Sequence, residues 1–307
     1  MKTKLLVLLC AIKGYFYKWL VDLHIYNVPK LNIDEAANVI VSLTSYGRRI
    51  ESNVLYYTLV SILRQSVSPK KIVVCVDHKK WNENNLPIKL RSLIAKGVEF
   101  MFCEDIRSYT KLIPVMKAYP NDYIITVDDD IIYDKKTIEN LLEASSSSPD
   151  AVCCLNASRP IIKNGYPCEY EKWKSLYTAE QGKYLIFPCG FGAVLYPPNQ
   201  IDKKILFDSQ RFLSLCPLAD DVWFWFCEIM SNVTIIFVPK NHWDYSYDAF
   251  YQFFHKGTAL THSNRYEHQN DKQIREIFNF YHVMMTNNGK LVMVDDKKMN
   301  NICSSFQ

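Results

Sequence analysis

The chain has 307 residues, 49% of them apolar, which is enough to bury the core of one large domain and excludes a disordered polymer. Its 36 Lys and Arg against 32 Asp and Glu leave a formal charge of +4 with no basic tail or stripe, which excludes nucleic acid as a partner. The 10 Cys form no CxxC pair, so they suit reduced, buried thiols of a cytoplasmic protein better than a disulfide framework.

Residues 1–37 form a first segment. Its uninterrupted apolar run, Leu5 to Ile12, is too short to span a bilayer. Lys13 and Lys18 break up the stretch beyond Ile12, and no small-residue cleavage site marks a signal peptide. The interleaved Tyr, Phe, Trp and Lys predict an amphipathic helix. It either makes peripheral contact with the inner face of the cell membrane through residues 1–28 or packs on the back of its own domain.

From Asn38 short β-branched runs alternate with segments of helical period, the pattern of repeated βα units and an α/β fold. Val39 to Leu43 reads as a first strand, followed by the polar loop Thr44 to Arg49 and a helix with Leu55, Leu59, Ile62 and Leu63 on one face. Lys71 to Val76 gives a second strand ending at Asp77. Val98 to Phe102 gives a third, and Lys111 to Ala118 reads as a helix. Tyr123 to Val127 forms a fourth strand that delivers Asp128, Asp129 and Asp130 at its carboxyl end, the edge where open α/β sheets bind ligands. A helix over Lys135 to Ala144 and a strand over Ala151 to Leu155 complete this half. There Cys153 and Cys154, adjacent on a strand, cannot face one partner. The second half holds Phe187 to Pro198, Leu218 to Met230 and a strand over Val233 to Val238. After Tyr281 the pattern fades, which predicts a loosely held tail over 287–307.

Two acidic clusters carry the chemistry. Neighbouring carboxylates raise one another's pKa unless a cation lies between them, and hard oxygen ligands suit Mg²⁺ or Mn²⁺. The spacing of Asp128 and Asp130 therefore reads as a metal site for a diphosphate, against the plainer reading of a solvated turn. His242 is the candidate third ligand; His255, His262 and His268 lack metal-site spacing. The pair Asp220 and Asp221 opens a helical pattern, an ordinary place for a cap. Its apolar company, Val222 to Phe226, would instead push a carboxylate pKa upward, as a general base requires.

The segments VSLTSYGRR, TVDDDIIY, FPCGFGAVLYPP and ADDVWFW, in this order, resemble bacterial glycosyltransferases of the GT-A fold, close to the family 2 enzymes that build surface polysaccharides such as lipopolysaccharide and capsule. The resemblance implies a mixed sheet flanked by helices over residues 38–281. A Rossmann-like nucleotide-binding half would span 38–155 and an acceptor half 156–281, with residues 282–307 as a tail. It implies a nucleotide-diphospho-sugar donor, a glycan or lipid-linked acceptor and transfer with inversion. Asp130 and Asp128 would hold the metal and Asp221 would act as base, with Asp220 beside it. Thr44, Tyr46, Arg48, Asp77, Lys111, Asp128, Asp129, Gly190 and Gly192 would line the donor site. Plainer readings stand beside these roles: a helix cap for Thr44, a turn for Asp77, a solvated side chain for Lys111 and loop positions for the glycines. The multi-span membrane region of processive synthases is absent from the sequence, which favours single addition. Two alternatives come from other classes: a metal-dependent nucleotidyl or phosphoryl transferase, and a silent carbohydrate-binding relative.

Overall fold

The computed structural model describes residues 2–34, 36–239, 246–247 and 268–294. An eight-stranded mixed sheet forms the centre. Its strands in chain order are β1 (Ala37–Thr44), β2 (Pro69–Asp77), β3 (Val98–Cys103), β4 (Tyr123–Thr126), β5 (Val152–Cys154), β6 (Glu180–Gly182), β7 (Val194–Tyr196) and β8 (Ile235–Phe237). Their spatial order is β6-β8-β5-β7-β4-β1-β2-β3. The run β3-β2-β1-β4 is wholly parallel, with Ile40 opposite both Lys71 and Ile124. That is the strand order of a Rossmann-like half, and the chain reverses direction across the sheet between β1 and β4. Strand β7 enters antiparallel to both β4 and β5 and makes the sheet mixed.

Both faces of the sheet are covered, which explains why its strands read as nearly continuous apolar runs. The pleat sends alternate residues to two cores. Ile40, Val73, Cys75, Ile124, Cys154, Val194 and Tyr196 face one, and Val39, Val41, Leu43, Val74, Ile125, Cys153 and Leu195 face the other. Cys153 and Cys154 thus divide between the two sides. The first core is filled by the helix Asp220–Met230, in which Val222 through Ile229 are all buried. A helix apolar all round must be enclosed, and each of its large side chains contributes roughly 1.5–3 kcal/mol by burial. The helices Val54–Leu63, Ile88–Ile94 and Thr137–Ser146 cover the other face.

The structure departs from the sequence reading in several places. The helix expected from Lys111 begins at Ile113; Arg107–Lys111 is a 3-10 turn with Lys111 at its last position, because Pro114 belongs in the first turn of a helix. The N-terminal helix ends at Asp22, well short of residue 37, and no described helix is long and apolar enough to cross a membrane. The chain beyond Tyr281 is not loose where it is described. Val283–Met285 pairs antiparallel with Leu291–Met293 in a hairpin, Met285 is buried, and Gly289 at φ +88° makes the turn against Tyr184 and Leu185.

Candidate functional site

The carboxyl ends of β1 and β4 carry the polar segments that meet at the point where strand order reverses. Beyond β1, Thr44 donates from Oγ1 to the Cys75 carbonyl at 3.0 Å, which ties β1 to β2; the cap reading for it does not hold. Ser45 Oγ donates to Asp129 Oδ2 at 2.5 Å. The short helix Arg48–Glu51 buries Ile50 and turns Arg49 inward, leaving Arg48 exposed. Arg49 reaches Asp129 Oδ1 at 2.6 Å and Asp130 Oδ2 at 2.9 Å, with the exposed Tyr46 ring 5.6 Å from its guanidinium. Burial pushes the Asp129 carboxyl up, and Arg49 and Ser45 oppose that shift. Asp129 is thus a buried anchor of the turn.

The second cation is Lys111, and it is not solvated: it is 6% exposed. Ser42 on β1 holds its backbone carbonyl at 2.5 Å. Its ammonium lies 2.8 Å from Asp220 Oδ2, 3.3 Å from Asp128 Oδ1 and 4.0 Å from Asp221 Oδ1. The Asp220 contact is close but poorly aligned for a hydrogen bond, so charge attraction accounts for it. Although burial alone would lower the lysine's pKa, the three carboxylates hold it well above its ordinary value. Lys111 therefore joins the acids at the end of β4 to the acids at the start of the helix Asp220–Met230.

The glycine turn Gly190–Gly192 closes the group. Gly190 N–H donates to Asp221 Oδ2 at 3.0 Å, and a Cβ at Gly190 would stand 2.5 Å from Asp221 Oδ1 and 2.9 Å from Lys111 Nζ. Its missing side chain makes room for the acid and the lysine. Gly192 is a packing position, since a Cβ there would meet Asn156 Cβ at 2.3 Å. Tyr133 Oη accepts from Asp128 N–H at 2.8 Å and donates to the Phe191 carbonyl at 3.4 Å, which fastens the triple-acid turn to the glycine turn. Desolvation first, then the Asp220 charge, raise Asp221 to about 7 against the opposing pull of Lys111 and the Gly190 N–H. A small cavity of about 50 Å³, lined by Tyr170, Phe187, Asn270 and the residues Ala219 to Val222, opens beside this pair. It has room for water beside the carboxylates.

Asp77 sits at the end of β2, where Oδ1 accepts from Lys79 N–H at 2.9 Å and Oδ2 lies 3.7 Å from Lys80, so it forms its own turn. His242, with His255 and His262, lies outside the described residues. His268 precedes the helix Gln269–Phe280 and contacts Asp271 at 3.1 Å.

Sequence reasoning missed Ser45, Arg49, Tyr133 and Glu228. The pair Arg48-Arg49 was visible, but only the short helix decides which arginine faces inward. Glu228 stands seven residues after Asp221 on one helix, and that spacing was a readable signal. It is fully buried, neither side-chain oxygen has a hydrogen-bond partner among the described residues, and burial followed by the Asp221 charge raises it to about 8.

No protein-family model matches the chain, and no curated protein matches it. Among similar solved structures is CMP:2-keto-3-deoxy-manno-octonic acid synthetase complexed with CTP, at 13% identity over 67% of this chain and 90% of its own, with a TM-score of 0.39. Another is 4-diphosphocytidyl-2C-methyl-D-erythritol synthase, at 10% identity over 45% of this chain and 72% of its own, with a TM-score of 0.32. Likeness at this level assigns neither substrate nor reaction.

Proposed function

We propose that the chain is a glycosyltransferase that moves a sugar from a nucleotide-diphosphate donor to a glycan or glycolipid acceptor with inversion. The observation that carries this reading is the convergence of both acidic clusters on the buried Lys111 ammonium. In the proposed reaction Asp221 takes the acceptor hydroxyl's proton as its oxygen bonds to the anomeric carbon. The bond from that carbon to the diphosphate breaks with its electron pair going to the phosphate oxygen. The Gly190 N–H orients Asp221, and Lys111 meets the charge of the departing diphosphate.

Mn²⁺ or Mg²⁺ fits the donor set. Among the described residues five carboxylates, Asp128, Asp129, Asp130, Asp220 and Asp221, share this group with two cations, Arg49 and Lys111, so negative charge is in excess. No three His, Cys, Asp or Glu of the described residues form a closed cage. A cation there would be held by one or two carboxylates, Asp128 and Asp130, with phosphate oxygens completing its shell. When bound, it would offset charge on the diphosphate.

A second reading, nucleotidyl transfer from a nucleoside triphosphate, draws on Arg49 and Lys111, which bring two cations to the strand ends where a triphosphate would lie. One experiment separates the two. The chain is screened by thermal shift against nucleotide-sugars and nucleoside triphosphates with Mn²⁺, and stabilising ligands are then incubated with candidate acceptors while products are followed. Release of nucleoside diphosphate supports glycosyl transfer. Release of pyrophosphate would replace it with the second reading.

A further inference from the structure

The helix Lys2–Asp22 is apolar on two sides, and the described residues of the domain pack against one of them. Cys10, Leu20 and Val21 are buried, and Val21 packs against Tyr57 and Val60 of the helix Val54–Leu63. Tyr57 fixes the helix end by donating to Asp22 at 2.6 Å. On the outer side Leu9, Ile12, Tyr15, Phe16 and Trp19 are between 37% and 57% exposed, and Leu23 just past the helix end continues the row at 51%. Leu9, Ile12, Phe16, Trp19 and Leu23 recur at alternating steps of three and four, so they form one stripe along the helix. A contiguous exposed stripe of this kind marks an interaction surface rather than scattered surface residues.

Charge and side-chain type select the partner. Residues 1–21 contain four lysines and no Asp or Glu. Lys13 is exposed beside the stripe, and Lys18 Nζ lies 5.8 Å from the Tyr15 ring. A second copy docked along the stripe would bring these like charges together, with one acid in the helix, Asp22, already engaged by Tyr57 and Lys89. A sheet of anionic headgroups meets them directly, and Tyr and Trp rings settle at the boundary between headgroups and acyl chains. The helix also packs against Ser246–Tyr247, which pairs with Ile131–Ile132 immediately after Asp130. Docking would therefore bring the acid-bearing turn close to the lipid surface.

We propose that the outer face of the helix Lys2–Asp22 is a docking surface for an anionic lipid bilayer, on which the helix lies in the headgroup layer without crossing it. The inference does not depend on the reaction proposed above. The test is co-sedimentation of the full chain with vesicles of phosphatidylcholine alone and of phosphatidylcholine with phosphatidylglycerol in equal parts. The expected result is binding to the anionic vesicles that weakens with added salt and with Lys13→Gln. Binding should fall by at least about tenfold in Phe16→Ser/Trp19→Ser, because two aromatic anchors are removed. The thermal unfolding of that variant should match the wild type, and Ile12→Asn supplies the same comparison if it does not. Absence of vesicle binding, or equal binding by wild type and variants, would overturn the proposal. So would a lipid-free dimer in sedimentation analysis that Phe16→Ser/Trp19→Ser dissolves.

Discussion

Replacing Lys111 with Met keeps an apolar stem of similar length and removes the ammonium that lies 2.8 Å from Asp220 and 3.3 Å from Asp128. At an effective dielectric of about 20 each such contact is worth several kcal/mol of gross attraction, while desolvation of the buried ions cancels much of it. The cost of removing one partner is better judged from what stays behind. Asp220 is only 8% exposed, and Asp221 faces it without the cation that had opposed their repulsion. Loss of one member of a buried pair costs about 3–5 kcal/mol, which is the expected destabilisation at pH 8. Without the opposing pull of Lys111 the folded-state pKa of Asp221 rises further. A raised acid loses its stabilising proton as pH climbs through the folded value, so the penalty must be larger at pH 8 than at pH 5.5. Urea unfolding followed by circular dichroism at both pH values measures it. Part of the loss should return in Lys111→Met/Asp220→Asn. A loss below about 1 kcal/mol at pH 8, or one independent of pH, would refute the account of Lys111 as the link between two acidic clusters.

Gly190→Ala and Gly192→Ala should separate activity from stability. At Gly190 the new Cβ meets movable groups, and Asp221 must retreat by roughly 1 Å from a 2.5 Å contact; turnover on the donor identified by screening should fall about a hundredfold with little change in unfolding. At Gly192 the new Cβ meets Asn156 Cβ at 2.3 Å and its backbone nitrogen at 2.9 Å, which cannot yield, so urea unfolding should show a loss of about 1–3 kcal/mol. Glu228→Gln tests the buried acid. A carboxyl raised from 4.5 to about 8 gives stability that is full below pH 4.5 and declines until about pH 8, with a ceiling of roughly 5 kcal/mol. Thermal unfolding from pH 5 to pH 9 should therefore slope downward less in Glu228→Gln than in wild type, and parallel curves would contradict the assignment.

The parallel half of the fold was legible because its strands are buried on both faces and bounded by turn residues, from Val39 to Leu43 through Tyr123 to Val127. The antiparallel strands that make the sheet mixed, β6 and β7, were not legible, because direction is invisible in triplets such as Glu180–Gly182 and Val194–Tyr196. The C-terminal hairpin was missed for a related reason: two triplets are too short to show a period of two. In the site, the acids announced themselves by type and position. Their neutralising partners did not, since Lys111 comes from a 3-10 turn whose single buried lysine looks like any surface lysine until β1 and the helix Asp220–Met230 close over it. The WFWF run was readable as a force on the neighbouring acid pair. Its larger role is to fill the core on one side of the sheet, and the raised Asp221 follows from that burial.

Calorimetric titration of nucleoside diphosphates with Mn²⁺ into wild type, Asp130→Ala and Asp221→Asn tests the proposed division of labour most directly, with turnover measured in parallel. The account predicts binding by wild type and Asp221→Asn, loss of metal-dependent binding in Asp130→Ala, and no transfer by Asp221→Asn. Wild-type affinity in Asp130→Ala, or full transfer by Asp221→Asn, would contradict it.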